Sequence, residues 1–379
     1  MGLIAVDSFT GTEYYVDAIN GSDSTGASEG LSAGNAFQTL YYAIHTGIPF
    51  YGADTTNGDR VNLLDNSTHN ISTAINLSGT RGSGTTTAPV IVQGCTATPN
   101  DGGIANLNNA IGGSSIANSG NWNFKFVDLK ITSDGAKWSS SSQTAEYYNC
   151  WIKAENSSGE FIYSQNDDFY YCTIEFQNHD FRYQLTLINC VVIQHSNRPI
   201  CTWYSSNSIS AGGCLFINDA STFTSQIINL TSCSDSAAIA INGDGINGTG
   251  IRYHYGANLH VENVGTAFYS YYANGGQRSY AHSYYNCTTG LSGASTKYAY
   301  GITDSGPTLL SNSLFSTATS SSVILDTANN NLDAIAIGNI TAGGLNVSAY
   351  EAIGFGIGLP AGSGPSYTNV ASAKFTRLE

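Results

Sequence analysis

Hydrophobic and polar residues alternate with period two in short runs through the middle of the chain, and the runs recur. In "YYNCWIKAEN" (147–156) the odd and even positions separate into an apolar set, Cys150, Ile152 and Ala154, and an outward set, Trp151, Lys153 and Glu155. Side chains alternate in this way along a strand. The pattern returns at "FYYCTIEFQN" (Cys172), "LINCVVIQHS" (Cys190), "AGGCLFINDA" (Cys214), "LTSCSDSAAI" (Cys233), "YYNCTTGLSG" (Cys287) and "LLSNSLFSTA", where Ser313 replaces the cysteine. The first four steps are 22, 18, 24 and 19 residues. Unequal steps about a mean near 20 predict a parallel β-solenoid whose coils keep short strands and vary their loops. Equivalent residues then stack about 4.8 Å apart, giving an inward file of small apolar side chains. Asn149, Asn189 and Asn286 precede cysteines, which suits a bend where an amide bonds from coil to coil or takes left-handed backbone. The cysteines need no chemistry in this reading: there is no C-x-x-C, and Cys95 and Cys201 stand outside the file.

Two segments break the period-two pattern. In "NAFQTLYYAIHTG", Phe37, Leu40, Tyr41 and Ile44 fall at helical spacing, with Asn35 as N-cap and Gly47 as stop, which predicts a helix covering the open end of the solenoid. The tail from 346 to 379 is rich in Gly and Pro, lacks helical spacing, and is expected to be an extended arm, either a frayed end or a segment docking on a neighbouring subunit. The expected organisation is an N-terminal extension (1–12), capping helix and first coils (13–120), central coils (121–345) and the arm (346–379).

Composition narrows the partners. Gly makes up 42 of 379 residues and charged residues only 11%, against a usual ~25%, so this is a chain of turns and strands. The formal charge of −14, from 27 acids and 13 bases without a basic run, argues against nucleic acid. No apolar run approaches the ~18 residues of a membrane span, and "MGLIAVDSFTGTE" lacks a basic n-region and long apolar core, so no secretory signal is expected. Synthesis in a cytoplasm and free buried thiols follow as expectations.

The stretches "YYVDAINGSDSTGASEGLSAGNAFQTLYYAI", "NGDRVNLLDNSTHNIS" and "TAPVIVQGC" together resemble the opening of right-handed parallel β-helix proteins of the pectate-lyase-like superfamily, in particular the chondroitinase B and alginate lyase type. The resemblance is specific over residues 13–95 and architectural over 120–345. It implies an all-β, single-stranded right-handed parallel β-helix, in a superfamily that holds polysaccharide lyases, glycoside hydrolases and bacteriophage tailspike and virion surface proteins. Fold does not choose among these.

The outward columns are where function would show. They read Trp151/Thr173/Val191/Leu215, Lys153/Glu175/Ile193/Ile217 and Glu155/Gln177/His195/Asp219. Val191, Ile193, Leu215 and Ile217 form an aliphatic patch, an interface candidate or a surface under a loop; the resemblance implies a closed homotrimer. Lys153 and Glu175 are expected to form a cross-strand ion pair. Glu175 and Asp219, two coils or roughly 10 Å apart, match the separation of an inverting glycosidase, and Glu155 is a further candidate. The lyase type resembled uses a Lys base, an Arg acid and a calcium ion; Lys153 and Arg182 are the only such pair on the central coils, and their spacing fits poorly. His179 and Arg182 repeat as His195 and Arg198 in an H-x-x-R pattern that would gather cations near an anionic sugar, or is a loop coincidence. No cofactor is required; calcium is left open at "NDD" (166–168) and "NGDG" (242–245), neither with a full ligand set. Ten of the 24 tyrosines lie between Tyr253 and Tyr300, among them Tyr269, Tyr271 and Tyr272, which offer flat area to a sugar face or another protein.

Two readings follow. The first is a bacteriophage virion surface protein, a head decoration or tailspike-like appendage, contacting glycans without catalysis and partnered with itself and with capsid or tail proteins. The second is a polysaccharide lyase or glycoside hydrolase.

Overall fold

The computed structural model describes residues 11–24, 30–44, 59–76, 90–111, 116–117, 124–133, 139–141, 145–155, 159–164, 167–181, 185–201, 209–270, 278–280, 282–292, 298–300, 303–304 and short strands beyond residue 333. Almost all of the described elements are β-strands, and they pair in parallel. This is the arrangement of a parallel β-helix. The chain divides into two compact units: residues 1–192 with 204–207, and residues 193–203 with 208–379.

In the first unit a full coil carries three strands. One coil runs Ala145–Tyr148, Trp151–Ala154 and Gly159–Ser164; the next runs Asp167–Tyr170, Thr173–Phe176 and His179–Phe181. Trp151 pairs with Thr173, an advance of 22 residues, so like positions lie directly above one another. The first sheet stacks Val61, Val92, Phe126, Tyr147, Phe169 and Leu187 in register, all buried. Aromatics in this file stack nearly flat, Tyr147 on Phe169 at 4.6 Å and Phe126 on Tyr147 at 5.1 Å. Each such pair adds about 0.5–1.5 kcal/mol beyond its buried area. In the second sheet Leu107, Ile131, Ile152 and Ile174 form the matching inward file.

In the second unit the first sheet holds Ile209–Gly212, Gln226–Ser234 and Thr249–Ala257. The second holds Leu215–Asn218, Ala237–Ala240, His260–Glu262 and Ser283–Tyr285.

A left-handed residue makes the corner between first and second sheets in seven coils, while the passage from Leu64 to Thr68 has none. The positions are Asp128, Asn149, Tyr171 and Asn189 in the first unit and Gly213, Asp235 and Asn258 in the second, all with φ between 49° and 65°. Asn, Asp and Gly are the residues that tolerate this backbone. Their side chains also bond along the file: Asn149 Nδ2 donates to Asp128 Oδ1 at 2.7 Å and Asn258 Nδ2 to Asp235 Oδ1 at 2.8 Å. The residue after the corner turns inward. Cys150, Cys172 and Cys190 occupy it, each thiol lying 3.3–3.4 Å from the carbonyl two residues back and 3.4–3.5 Å from a carbonyl of the coil before. Burial holds the Cys172 thiol well above the usual range, so it stays protonated.

Four expectations change. Cys233 is not in the thiol file: it pairs with Ala211 and Gly256 before the corner, and Ser236 takes the file position, accepting from Cys214 N at 3.0 Å. Cys287 follows a second corner, where Asn286 Nδ2 donates to Asn263 Oδ1 at 2.9 Å, so Asn286 is not in line with Asn149 and Asn189. Ser313 lies outside the described residues. The expected helix is a single described turn, Leu40–Tyr42, capped by Thr39 and not Asn35, because Phe37 is taken into a parallel bridge with Val16. Phe37, Leu40 and Ile44 are buried, but Tyr41 is exposed. The described parts of 346–379 are strands: Ala352–Gly356 pairs with Ala334–Ile337 and with Ala373–Arg377. The register advances 18 residues from Ala334 to Ala352 and 21 from Ala352 to Ala373, which keeps the coil spacing, so an extended arm is not seen in them.

Tyr171 is the one corner residue unsuited to its backbone, and its side chain is 52% exposed. Tyr171→Asn is expected to stabilise the fold by about 0.5–1 kcal/mol by relieving the left-handed penalty. A higher urea midpoint checks this, and a fall would count against it.

His69 is buried, with Nε2 donating to Leu64 O at 2.7 Å. Burial lowers its pKa, outweighing the opposing effects of Leu64 and Asp17. The folded imidazole therefore stays neutral while the unfolded one titrates near ~6.5. As pH falls through that value the unfolded state binds the extra proton, so stability drops until the folded pKa is also passed. Denaturation midpoints from pH 7 to 5 should fall, and His69→Gln, which keeps an N–H donor, should flatten the slope.

Candidate functional site

The outward columns of the second sheet fall where the alternation places them. In the first unit Lys130, Trp151 and Thr173 are register partners, as are Thr132, Lys153 and Glu175. Trp151 is 40% exposed. Its Nε1 donates to Glu175 Oε1 at 2.7 Å, and Lys130 Nζ sits 4.4 Å from its ring centre. Such clamping fixes an aromatic plate at the surface. Lys153 does not pair with Glu175 as its principal partner. Its Nζ is 2.7 Å from Glu155 Oε1, two residues along the same strand, because the indole takes Glu175. The hydrogen bond and charge of Glu155 raise the Lys153 pKa, with a smaller contribution from Glu175.

In the second unit His195 and Asp219 meet. Asp219 N donates to Gln194 O at 3.1 Å, placing the two loops on adjacent rungs. His195 Nδ1 lies 2.8 and 2.9 Å from the two carboxylate oxygens of Asp219. A carboxylate only accepts, so Nδ1 carries the hydrogen and Nε2 is the basic nitrogen of the neutral ring. This is the orientation in which a carboxylate-held imidazole moves protons. The support is rigid: Asn218 Nδ2 donates to Ser196 O at 2.9 Å, Asn242 Nδ2 to Asp219 O at 2.9 Å, and Asn197 Nδ2 to Thr224 Oγ1 at 2.8 Å. Both side chains of the dyad are about one-third exposed or less.

The remaining candidates are placed as follows. Glu175 belongs to the first unit and Asp219 to the second, and each is engaged by another partner, Trp151 and His195 respectively. Arg198 is half-buried beside the dyad, its carbonyl 3.4 Å from Asn218 Nδ2. His179 is in a strand, but its side chain and all of Arg182, Tyr271 and Tyr272 lie outside the described residues. Val191, Ile193, Leu215 and Ile217 are half-buried in outward positions, and Leu215 and Ile217 have Ala237 and Ile239 as rung partners. Tyr269 packs under Arg252, whose guanidinium carbon is 4.7 Å from the ring centre.

Of the calcium candidates, Asn166 lies outside the described residues, while Asp167, Asn242 and Asp244 are hydrogen-bonded within the protein. Asp244 accepts from Ile246 N and Asn247 N at 2.8 Å, Asn242 bonds two carbonyls, and Asp167 accepts from Ala145 N at 2.9 Å. Among the described residues no group of three or more His, Cys, Asp or Glu is arranged to hold a metal ion. No helix among them is long and apolar enough to cross a membrane.

The sequence reading missed the Trp151–Glu175 bond and the Arg252–Tyr269 stack. Each joins residues on adjacent rungs, visible only once the register is known. No protein-family model, curated protein or solved structure matches this chain.

A double-mutant cycle separates the two clusters of the first unit. Trp151 with Glu175 should couple by about 0.5–1 kcal/mol as a charge-assisted hydrogen bond at a half-exposed site. Lys153 with Glu155 should couple by less than about 0.5 kcal/mol, as exposed ion pairs do. Equal couplings in urea unfolding would contradict the assigned partners.

Proposed function

We propose that this chain is a bacteriophage virion surface protein, a head decoration or tailspike-like appendage, whose right-handed β-helix contacts glycans through its outward columns without cleaving them. Trp151 carries the reading. A half-exposed indole held between a lysine and a carboxylate is a prepared surface for a pyranose ring, flanked by hydrogen-bonding groups for its hydroxyls. The low charge and the Gly-, Ser- and Asn-rich rungs suit a surface that meets uncharged sugar hydroxyls. The aliphatic positions Val191, Ile193, Leu215 and Ile217 would serve self-association into a homotrimer, with the head covered by the residues around Leu40–Tyr42 and with capsid or tail proteins as attachment partners.

The His195–Asp219 dyad favours a second reading, polysaccharide cleavage by a lyase or glycoside hydrolase. A carboxylate-oriented imidazole is suited to proton transfer at a sugar carbon or hydroxyl.

Incubation with capsular and lipopolysaccharide glycans of candidate hosts decides between them. The binding reading expects retention without unsaturated ends or new reducing ends, and a roughly tenfold affinity loss in Trp151→Ala, as for a central aromatic contact. Unchanged affinity in that variant would refute it. Turnover that disappears in His195→Ala and Asp219→Asn would install the enzyme reading instead.

A further inference from the structure

The outward side of the first sheet, in the first unit, carries a pair of tyrosines. Tyr148 and Tyr170 are register partners on neighbouring rungs, and both are half-buried. Their rings stack with centres 4.7 Å apart and planes 8° from parallel. That separation matches the rung spacing of about 4.8 Å, so one ring is close to a pure translation of the other. Each carbon ortho to a hydroxyl therefore faces its equivalent across a single rung. Both side chains stand outside the packed interior, where rotation about their χ angles is free to close the remaining gap.

Tyr148 also has a base in contact. Its hydroxyl donates to Glu146 Oε2 at 2.6 Å, within the reach at which a carboxylate takes a proton directly. Lys125 Nζ lies 3.2 Å from the same oxygen and holds that carboxylate in place. Burial, then the hydrogen bond and charge of Glu146, keeps the Tyr148 phenol protonated well above its ordinary value, and burial with Asp168 and Glu146 raises Tyr170 as well. Oxidation of Tyr148 must therefore remove a proton together with the electron. A phenol that loses only the electron becomes a strongly acidic cation, and a carboxylate at hydrogen-bonding distance avoids that state. Lys125 Nζ is 5.7 Å from the Tyr148 ring centre, near the limit of a cation–π contact, so it opposes electron loss only weakly.

We propose that Tyr148 and Tyr170 form an oxidative modification site, at which a one-electron oxidant converts the pair into dityrosine and staples two rungs together. Each tyrosine gives one electron to the oxidant and one proton, from Tyr148 to Glu146 and from Tyr170 to water. The two phenoxyl radicals join through their ortho carbons. The hydrogen on each of those carbons then moves to the phenolic oxygen, which restores both aromatic rings. Two hydrogen atoms are lost overall; where the oxidant is a haem peroxidase supplied with hydrogen peroxide, they reduce one peroxide to two waters. All eight cysteines are free and buried, so disulfides supply no such link. The new bond would join residues 22 apart in the chain and lower the entropy of the unfolded state as any cross-link does. It asks nothing of the Trp151 face.

The test illuminates the full chain with tris(bipyridyl)ruthenium and persulfate, a one-electron oxidant small enough to reach half-buried rings. Protein that stays monomeric on a denaturing gel should gain dityrosine fluorescence. Its digest should contain a linked species, lighter by two hydrogens, that joins the peptides holding Tyr148 and Tyr170, and its urea midpoint should rise. Tyr148→Phe and Tyr170→Phe should each abolish the fluorescence of the monomer. Tyr171→Phe should leave it intact: Tyr171 is 52% exposed, but its neighbours in the corner file are Asn149 and Asn189. Glu146→Gln should slow formation of the link several-fold, and added imidazole should restore the rate in that variant without changing it in the parent, a rescue that a merely structural role would not show. Melting curves confirm that each variant is folded. Fluorescence confined to covalent dimers, a link through any other tyrosine, or no dityrosine at all would overturn the proposal, and an unchanged rate in Glu146→Gln would overturn its proton-transfer step.

Discussion

The left-handed corner residue is the constraint on which the rest of the structure depends. In seven coils the chain turns from the first sheet into the second by reversing φ at one residue, and that residue fixes which of its successors face inward. With the corner at Asn149, the thiol of Cys150 turns in and Trp151 turns out. Moving the corner by one residue would expose Ile152 and Ala154 and bury Trp151 and Lys153, since a one-residue slip exchanges every side chain between faces. The amide bonds of Asn149 to Asp128 and of Asn258 to Asp235 tie the corners of neighbouring coils together and keep their registers in phase.

This explains how much of the fold was legible. The alternation around Cys150, Cys172, Cys190 and Cys214 could be read because the corner is marked there by Asn, Gly or an aromatic and followed each time by Cys. Reading the cysteine as the marker then failed at Cys233. There the corner is Asp235, and the file position went to Ser236, whose hydroxyl does the work of the thiol by donating to Ser234 O at 2.6 Å. Cys287 misled for the related reason that a second corner, Asn263 and Asn286, repeats the same local sequence at another vertex. The positive-φ residue is the conserved physical element, and cysteine is one of several side chains that fit after it.

The candidate site was legible to the same depth. Faces were assigned correctly for Trp151, Lys153, Glu155, Glu175, His195 and Asp219, because face follows from parity alone. Partners were not, because a long side chain on one rung reaches two residues along its strand as easily as one rung across. Lys153 chose Glu155, and Glu175 was taken by the indole of Trp151. Only His195 with Asp219 joined as the shared column suggested, helped by short side chains whose reach is limited to the adjacent rung.

Parity also limits what a solenoid surface can do. A regular strand of four residues offers two outward side chains separated by an inward one, so groups from one strand meet where a long side chain spans that gap, as Lys153 does to reach Glu155. Convergent groups also arise where rungs stack, as at His195 and Asp219, or where parity slips and two consecutive residues lie outward, as at His254 and Tyr255. A slip carries a structural demand: the inward positions on either side must still be filled, here by Tyr253 and by Gly256, where an added Cβ would stand only 2.9 Å from the Tyr253 ring. Because the same slip occurs in register at Thr231–Ser232, it is shared by two coils, so it belongs to the packing of the unit and not to one irregular strand.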